Sequence, residues 1–427
     1  MRFRNLLIRN VASPYGLAMI SYTFFLFSCL IPPSIYSHYM REPDLMFLDP
    51  ATILFYTLCV LSFVAGARLI SWMLPSSFLY RTLETRISPI IFLMIPLTIG
   101  IVAIVATLFI LIAYRPDIIF LLLSLQGEEI KESSMLELAT SVYLAPLTLT
   151  AIIWWAYWRF CELDLRGWRR ALVKSALILA VLSEVILATL ILSRGILMMA
   201  ACGLAVSFVI RKSAKGAVSL RFVVGAITTI VICAALLFFS FSFLRGIDGL
   251  DGQFRVLFGY TVASYNRLAA IVNGKLHYPF AGRGLYLSSF VAFNHTLNRI
   301  VPVNSFMNWP DQLDVWGSEF GAVTRAGLNG GLILSGTFGY IFSDLGWFSF
   351  PFVFGYGMLY GIAWNWIKRG KILGVVLYPC FGFCALLWIG TNSLLDSPQV
   401  LVLIVGVALA SYEWVFVKSK GINLSAR

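Results

Sequence analysis

Long runs of apolar residues, separated by short polar segments, recur along the whole of this 427-residue chain. A helix needs roughly 20 apolar residues to cross the hydrocarbon core of a bilayer. Runs near that length predict about ten transmembrane helices, at residues 17–32, 51–72, 90–113, 142–157, 175–192, 196–210, 222–243, 347–366, 372–389 and 400–416. The pattern therefore predicts an all-α polytopic membrane protein.

The longest interval between these runs separates the seventh from the eighth and covers residues 244–345. We therefore expect a membrane domain of seven spans at 1–243 and a second membrane domain of three spans at 346–427. Between them, residues 244–345 form a large, partly helical extramembrane loop. This loop is the segment in which we look for an active site.

The composition agrees with a membrane protein, and the charges orient it. Hydrophobic residues make up 59% of the chain and charged residues 12%, whereas soluble domains carry about a quarter charged residues. With the N-terminus inside, twenty lysines and arginines fall in cytoplasmic segments, against three acids. Because cytoplasmic loops carry the excess of basic residues, we expect both termini inside and the large loop outside. The net charge of +12 is thus a topology signal and does not indicate nucleic-acid binding.

The large loop contains six arginines but one lysine. A guanidinium fork matches two phosphate oxygens at once, so such arginines are candidate ligands for an anionic, membrane-borne substrate. Arg194 is a further candidate, because it occupies a tight outer turn between two apolar runs, although it could instead reach lipid headgroups. The candidate phosphate ligands are Arg194, Arg245, Arg267, Arg283 and Arg325.

Two residues on the outer side are candidate general bases. Asp344 lies just before the eighth predicted span, where it could equally cap the helix N-terminus. His295 has the side chain best suited to proton transfer near neutral pH, but a structural role is an equal alternative. Residue type alone does not decide between these roles.

Three short motifs carry a resemblance to a known family. They are GGLILSGTFGYIFSDLG at 330–346, the Ser193-Arg-Gly195 turn and the run Tyr265-Asn-Arg267-Leu-Ala. Together with the late outer loop and the order of the spans, they resemble the O-antigen and oligosaccharide repeat-unit polymerases, the Wzy family. Arg325 and Gly336 also match one copy of an Arg-x10-Gly motif, which some members carry in two outer loops.

The resemblance implies a metal-independent glycosyltransferase of the bacterial inner membrane, with GT-C-like architecture and no cofactor. Such an enzyme transfers a growing glycan from one polyprenyl-diphosphate carrier to the sugar of another lipid-linked repeat unit. Its partners would be these lipid-linked donors and acceptors, membrane lipid and, as an open question, a chain-length regulator protein. In this reading the candidate arginines stabilise the leaving diphosphate, and Asp344 or His295 accepts the proton of the acceptor hydroxyl.

Two other classes of function stay open. A metal-dependent glycosyltransferase that uses a polyprenyl-phosphate sugar would bind its ion through paired acids in the first outer loop, and Glu42-Pro-Asp44 has that spacing. A transporter of lipid-linked glycans would show inverted repeats with interrupted helices. No such symmetry is apparent in the sequence, so transport ranks last.

Overall fold

The computed structural model describes residues 11–74, 83–126, 141–214, 225, 228, 235–247, 249–288, 298, 301–388 and 397–418. Over these ranges the protein is all-helical, with 77% helix and no strand. The helices are α1 (Pro14–Cys29), α2 (Pro33–Met40), α3 (Pro50–Met73), α4 (Pro89–Tyr114), α5 (Ile118–Leu123), α6 (Ser141–Phe160), α7 (Gly167–Leu190), α8 (Arg194–Ala214), α9 (Ala235–Leu244), α10 (Gly249–Tyr260), α11 (Val262–Val272), α12 (Val303–Met307), α13 (Gln312–Arg325), α14 (Gly336–Leu345), α15 (Ser349–Lys368), α16 (Ile372–Leu386) and α17 (Ser397–Phe416).

Six helical segments of the described chain are long and apolar enough to cross a membrane. They are Pro50–Met73, Pro89–Tyr114, Gly167–Leu190, Arg194–Ser213, Gly336–Lys368 and Gln399–Phe416. A seventh is reached if α1 and α2, which are bent by 93° relative to each other, form one broken span. The protein is therefore a helical membrane protein, and the total of ten spans stays a prediction.

The bend between α1 and α2 has a local cause in Pro32 and Pro33. Proline has no backbone N–H and its ring disfavours helical backbone in the preceding residue, so α1 ends at Cys29 and a new helix begins at Pro33. The same preference for proline in the first helical turn explains the start of α3 at Pro50. There the carboxylate of Asp49 accepts a hydrogen bond from the N–H of Thr52 at 3.0 Å.

The described residues divide into two compact units. Unit 1 comprises residues 1–76, 216–365 and 380–400, and unit 2 comprises residues 77–215, 366–379 and 401–427. Unit 1 therefore holds the described part of the predicted large loop together with α1 to α3 and most of α15.

Much of the predicted outer loop is helical and has its own core in unit 1. Every residue of α11 from Val262 to Ile271 is buried. The core beside it includes Leu276, Leu285, Val315 and Val323. Helix α14, which the sequence pattern assigned to the loop, belongs to the candidate span Gly336–Lys368 and leads into α15 through one 3-10 turn.

Unit 2 contains a buried network of charged side chains. The guanidinium of Arg159 donates to the carboxylates of Glu162 and Glu413, and also to the carbonyl of Gly370 at 3.1 Å. Arg211 donates to Glu162 at 3.3 Å. Two arginines and two glutamates make this network neutral overall, which is the condition under which buried charges are tolerated.

Candidate functional site

The carboxylate of Asp344 accepts hydrogen bonds from the backbone of a loop that lies 57 to 62 residues earlier in the chain. Its Oδ1 accepts the backbone N–H of Gly282 at 3.1 Å, and its Oδ2 accepts that of Leu287 at 3.0 Å. The N–H groups of Gly284 and Tyr286 also act on this carboxylate. We call residues 281–288 the glycine loop. The N-cap alternative for Asp344 is wrong, because Asp344 lies in the last turn of α14 rather than before a helix.

The glycine loop presents Arg283 between two glycines. Gly282 has φ +76° and Gly284 has φ +71°, in the left-handed region that glycine adopts without steric cost. The backbone therefore turns sharply on both sides of Arg283. Its carbonyl accepts the indole N–H of Trp309 at 3.3 Å, and its guanidinium carbon lies 5.6 Å from the centre of the Phe280 ring. The Arg283 side chain is exposed, while Asp344 is half-buried.

Arg267 is fully buried, and all of its N–H groups donate hydrogen bonds to protein oxygens. Its two Nη atoms donate to the two carboxylate oxygens of Glu42. Its remaining N–H groups donate to the carbonyls of Leu332 at 2.6 Å, Ala263 at 3.2 Å and Asn329 at 3.0 Å. A guanidinium has five N–H donors, so none is left for a substrate phosphate. We therefore revise the sequence-based assignment of Arg267: in the structure it cross-links the protein.

Glu42 is the centre of the same network. Besides Arg267, the hydroxyl of Tyr36, the side-chain amide of Asn266 at 3.1 Å and the backbone N–H of Asn329 at 2.6 Å donate to its carboxylate. Burial alone would raise the pKa of Glu42, but the hydrogen bonds and positive charge of Arg267 outweigh burial and hold that pKa below its ordinary value. Glu42 is therefore a buried carboxylate that is fully engaged by protein donors.

This network bears on the metal-binding alternative. A divalent ion at Glu42-Pro-Asp44 would need oxygens of both acids, but the oxygens of Glu42 are occupied by the donors just described. Asp44 closes a local turn, since its Oδ1 accepts the backbone N–H groups of Met46 at 2.9 Å and Phe47 at 3.0 Å. The arrangement fits a structural connection between the predicted first outer loop and α11 better than a metal site.

The other predicted site residues belong to other elements of the fold than the glycine loop. Arg194 is the first residue of α8 in unit 2 and is 8% exposed. Arg245 directly follows α9 and is half-buried, and Arg325 is exposed in the last turn of α13. His295 lies outside the described residues. Of the predicted phosphate ligands, Arg283 is the one for which the structure describes hydrogen bonds between its loop and Asp344.

The partners of Arg267 could not be predicted from the sequence. Glu42 is 225 residues away, and its spacing from Asp44 indicates a metal ligand instead. Tyr36 and Asn329 belong to no motif, and Asn266 lies in the run Tyr265-Asn-Arg267-Leu-Ala without any indication of its partner. The sequence contains a weak signal for the acidic partner of Arg267. An arginine inside the apolar run of α11 needs a buried acid, and the predicted first outer loop contains acids.

Comparison with known proteins assigns no family to this chain. No family model matches the sequence, and neither a curated protein nor a solved structure matches it.

Proposed function

We propose that this protein polymerises lipid-linked oligosaccharide repeat units at the outer face of the bacterial inner membrane. A glycan would pass from a polyprenyl-diphosphate carrier to a sugar of a second lipid-linked repeat unit. The observation that supports this proposal is that the carboxylate of Asp344 anchors, through hydrogen bonds, the glycine loop that carries Arg283. This arrangement combines the exposed cation Arg283 with the half-buried acid Asp344, which lies at the end of α14 within the candidate span Gly336–Lys368.

Each residue has a defined part in the proposed chemistry. As the glycosidic bond breaks, negative charge grows on the leaving diphosphate, and the guanidinium of Arg283 stabilises it. The carboxylate of Asp344 accepts the proton of the attacking hydroxyl. Its backbone hydrogen bonds keep the carboxylate oriented, and its partial exposure leaves it within reach of an acceptor. The assignments of Arg194, Arg245 and Arg325 to the diphosphate, and of His295 as an alternative base, stay predictions.

The position of Asp344 and the glycine loop also suits the substrate. A polyprenyl carrier stays in the bilayer, so its diphosphate must be met at the membrane surface. Helix α14 and the 3-10 turn that follows it lead directly into the apolar helix α15. In this proposal the protein has GT-C-like architecture and needs no metal. A chain-length regulator would be an additional protein partner.

The test uses purified protein and polyprenyl-diphosphate-linked repeat units from the bacterium that makes the protein, with EDTA present. Product length is read as a ladder on a gel. We expect wild-type protein to form a ladder, and Arg283→Ala to reduce its rate by about 100-fold, as for loss of one stabilising donor. Arg255→Ala removes an exposed arginine of α10 and is the matched control, which should retain the wild-type rate.

The outcomes separate the hypotheses. If wild-type protein forms no ladder from these repeat units, with or without added Mg²⁺, the polymerase proposal is wrong. A ladder that needs Mg²⁺ and disappears with EDTA would support the metal-dependent alternative. Full activity of Arg283→Ala would leave the function standing and remove the proposed site.

A further inference from the structure

The candidate span Gly336–Lys368 is longer than a bilayer requires. As a helix its 33 residues measure about 50 Å, whereas the hydrocarbon core of a bilayer is about 30 Å thick. A tilt of about 40°, at the top of the range for membrane helices, would still leave this segment about 38 Å tall. Part of the segment therefore lies outside the hydrocarbon core.

The excess length lies at the α14 end of this segment. Tyr340 of α14 belongs to the buried core of unit 1 that also contains Leu285 of the glycine loop. Helix α15, in contrast, has 20 residues and is about 30 Å long, which matches the hydrocarbon core. No charged residue occurs in the sequence between Asp344 and Lys368. The edge of the membrane on the α14 side is therefore expected at the junction of α14 and α15.

Two exposed aromatic residues occupy this junction. Trp347 and Phe348 lie in the 3-10 turn between the helices and are 55% and 78% exposed. One side of the Trp347 ring is held by Phe55, Phe342 and Phe350, whose ring centres lie 5.8–6.0 Å away. Tryptophan is enriched where a membrane helix meets the headgroups, and exposed apolar surface of this kind marks a site of contact with membrane or protein.

Helix α3 supports the same position for the membrane edge. Gly357 faces Phe63 and Gly361 faces Ala67, so α3 and α15 run side by side in the same direction. Phe55 of α3 contacts Trp347 at one end. The exposed Trp72 follows Phe55 by 17 residues, about 26 Å along the helix. Exposed tryptophans of this helix pair are thus separated by about the thickness of the hydrocarbon core, and the surface around Trp347 continues the lipid-facing surface of the spans.

We propose that Trp347 and Phe348 insert into the surface of the bilayer and hold Asp344 and the glycine loop at the depth of the phospholipid headgroups. Asp344 precedes Trp347 by three residues, about 5 Å along a helix, and the headgroup region is roughly 5–7 Å thick on each side of the bilayer. The partner of this aromatic surface is therefore membrane lipid. That the same depth presents the phosphates of a polyprenyl diphosphate to Arg283 rests on the proposed function, whereas the depth itself does not.

The experiment measures the depth of nitroxide spin labels in the full-length protein, reconstituted into vesicles of phosphatidylethanolamine and phosphatidylglycerol. Each label is attached to one cysteine in a cysteine-free background. Oxygen concentrates in the hydrocarbon and a nickel chelate stays in water, so the ratio of their collision rates with the label reports its depth. We expect the label at Phe348→Cys to lie about 16 Å shallower than one at Leu359→Cys, an exposed position eleven residues later on α15.

A label at Asp314→Cys, an exposed position of α13, is the reference for water. We expect the Phe348 label to collide more often with oxygen and less often with the nickel chelate than this reference does. If the Phe348 label matched the Asp314 label, the turn would lie in water and the proposal would be wrong. A Phe348 label as deep as the Leu359 label would also overturn it, because the membrane edge would then lie elsewhere.

A second measurement tests whether the turn sets the depth of the glycine loop. The label is placed at Ala281→Cys, an exposed position of that loop, where we expect it at the level of the headgroups. Phe348→Ser removes an exposed ring, so it should shift the Ala281 label towards water, with more frequent nickel collisions. Trp414→Ser changes an exposed tryptophan of another candidate span and is the matched control, which should leave the label in place.

An unchanged Ala281 label in Phe348→Ser would show that the turn does not hold the loop, and would overturn that part of the proposal. None of these measurements uses a glycan substrate. Absence of a glycan ladder would therefore count against the proposed function alone, whereas an aqueous Phe348 label would count against this inference alone.

Discussion

Arg267 and Arg283 are the same residue type in the same predicted loop, yet their surroundings are opposite. Arg267 is fully buried and gives all of its donors to protein oxygens. Arg283 is exposed on a turn between two glycines with positive φ. The difference arises because α11 packs its whole circumference inside unit 1, whereas the glycine loop is held through its backbone. The number of free donors, rather than the residue type, separates a structural arginine from a candidate ligand.

Removal of either partner of the Glu42–Arg267 pair should strongly destabilise unit 1. Glu42→Ala or Arg267→Ala would each leave an uncompensated buried charge, at a cost of about 3–5 kcal/mol. The double variant removes both charges, so we expect its loss to be smaller than the sum, with a coupling energy of about 1–3 kcal/mol. Unfolding in detergent, followed by a probe in α11, measures the four proteins of this cycle.

A matched pair provides the control for this cycle. Arg166 and Asp164 also form an ion pair, but their side chains are 85% and 70% exposed, so changes at the two positions should be additive. Additivity at Glu42 and Arg267 as well would contradict the structural role that we assign to Arg267. It would restore Arg267 as a candidate substrate ligand.

At the scale of elements, α3 and α15 approach each other through glycines. A Cβ at Gly357 would lie 2.0 Å from the carbonyl oxygen of Phe63, and one at Gly66 would lie 2.1 Å from that of Phe354. Gly361, one turn after Gly357, faces Ala67 in the same way. Small residues four apart let two membrane helices pack backbone to backbone, which strengthens their van der Waals contact.

Gly357→Ala should therefore destabilise unit 1. The added methyl group cannot fit against a backbone oxygen, so the helices must separate, at a cost of about 1–3 kcal/mol. Gly355→Ala is the control on the same helix, because a Cβ there meets nothing within 4 Å. Alanine also favours helix over glycine, so Gly355→Ala should be neutral or slightly stabilising. Equal thermal unfolding of the two variants would show that the close contact does not contribute.

At the scale of the whole molecule, charge distribution predicts which side of the membrane each loop faces. Basic residues are concentrated in the segments that we place inside, and the large loop is close to neutral, with seven basic and six acidic residues. The polymerase proposal depends on this topology, because the lipid-linked repeat unit must be met on the outer side.

Cysteine labelling tests the topology. In a cysteine-free background, Asp311→Cys should react with a membrane-impermeant maleimide in intact spheroplasts, whereas Lys371→Cys should react after permeabilisation alone. Both positions are exposed, so access to the reagent depends on the side of the membrane. The opposite labelling pattern would place the glycine loop in the cytoplasm and contradict the proposed function.

Much of the helical pattern could be predicted from the sequence, whereas most of the site could not. The predicted runs at 51–72 and 90–113 correspond closely to α3 and α4, because hydropathy is a property of each residue. The boundary of the large loop at residue 345 stays a prediction, since α14 belongs to the candidate span that begins at Gly336. The sequence indicates Asp344 and Arg283 as candidates. No local pattern indicates that the loop carrying Arg283 is hydrogen-bonded to the carboxylate of Asp344.

The amino-acid sequence by itself determined that this is a helical membrane protein, because apolar segments near the length of a bilayer are read without knowledge of any contact. Tertiary structure alone decided which polar groups meet: Glu42 with Arg267, and Asp344 with the glycine loop. These partners lie 57 or more residues apart, and a buried charge is tolerated only where the fold supplies its partner. The assignment of roles to individual arginines and acids therefore had to wait for the packing of the helices.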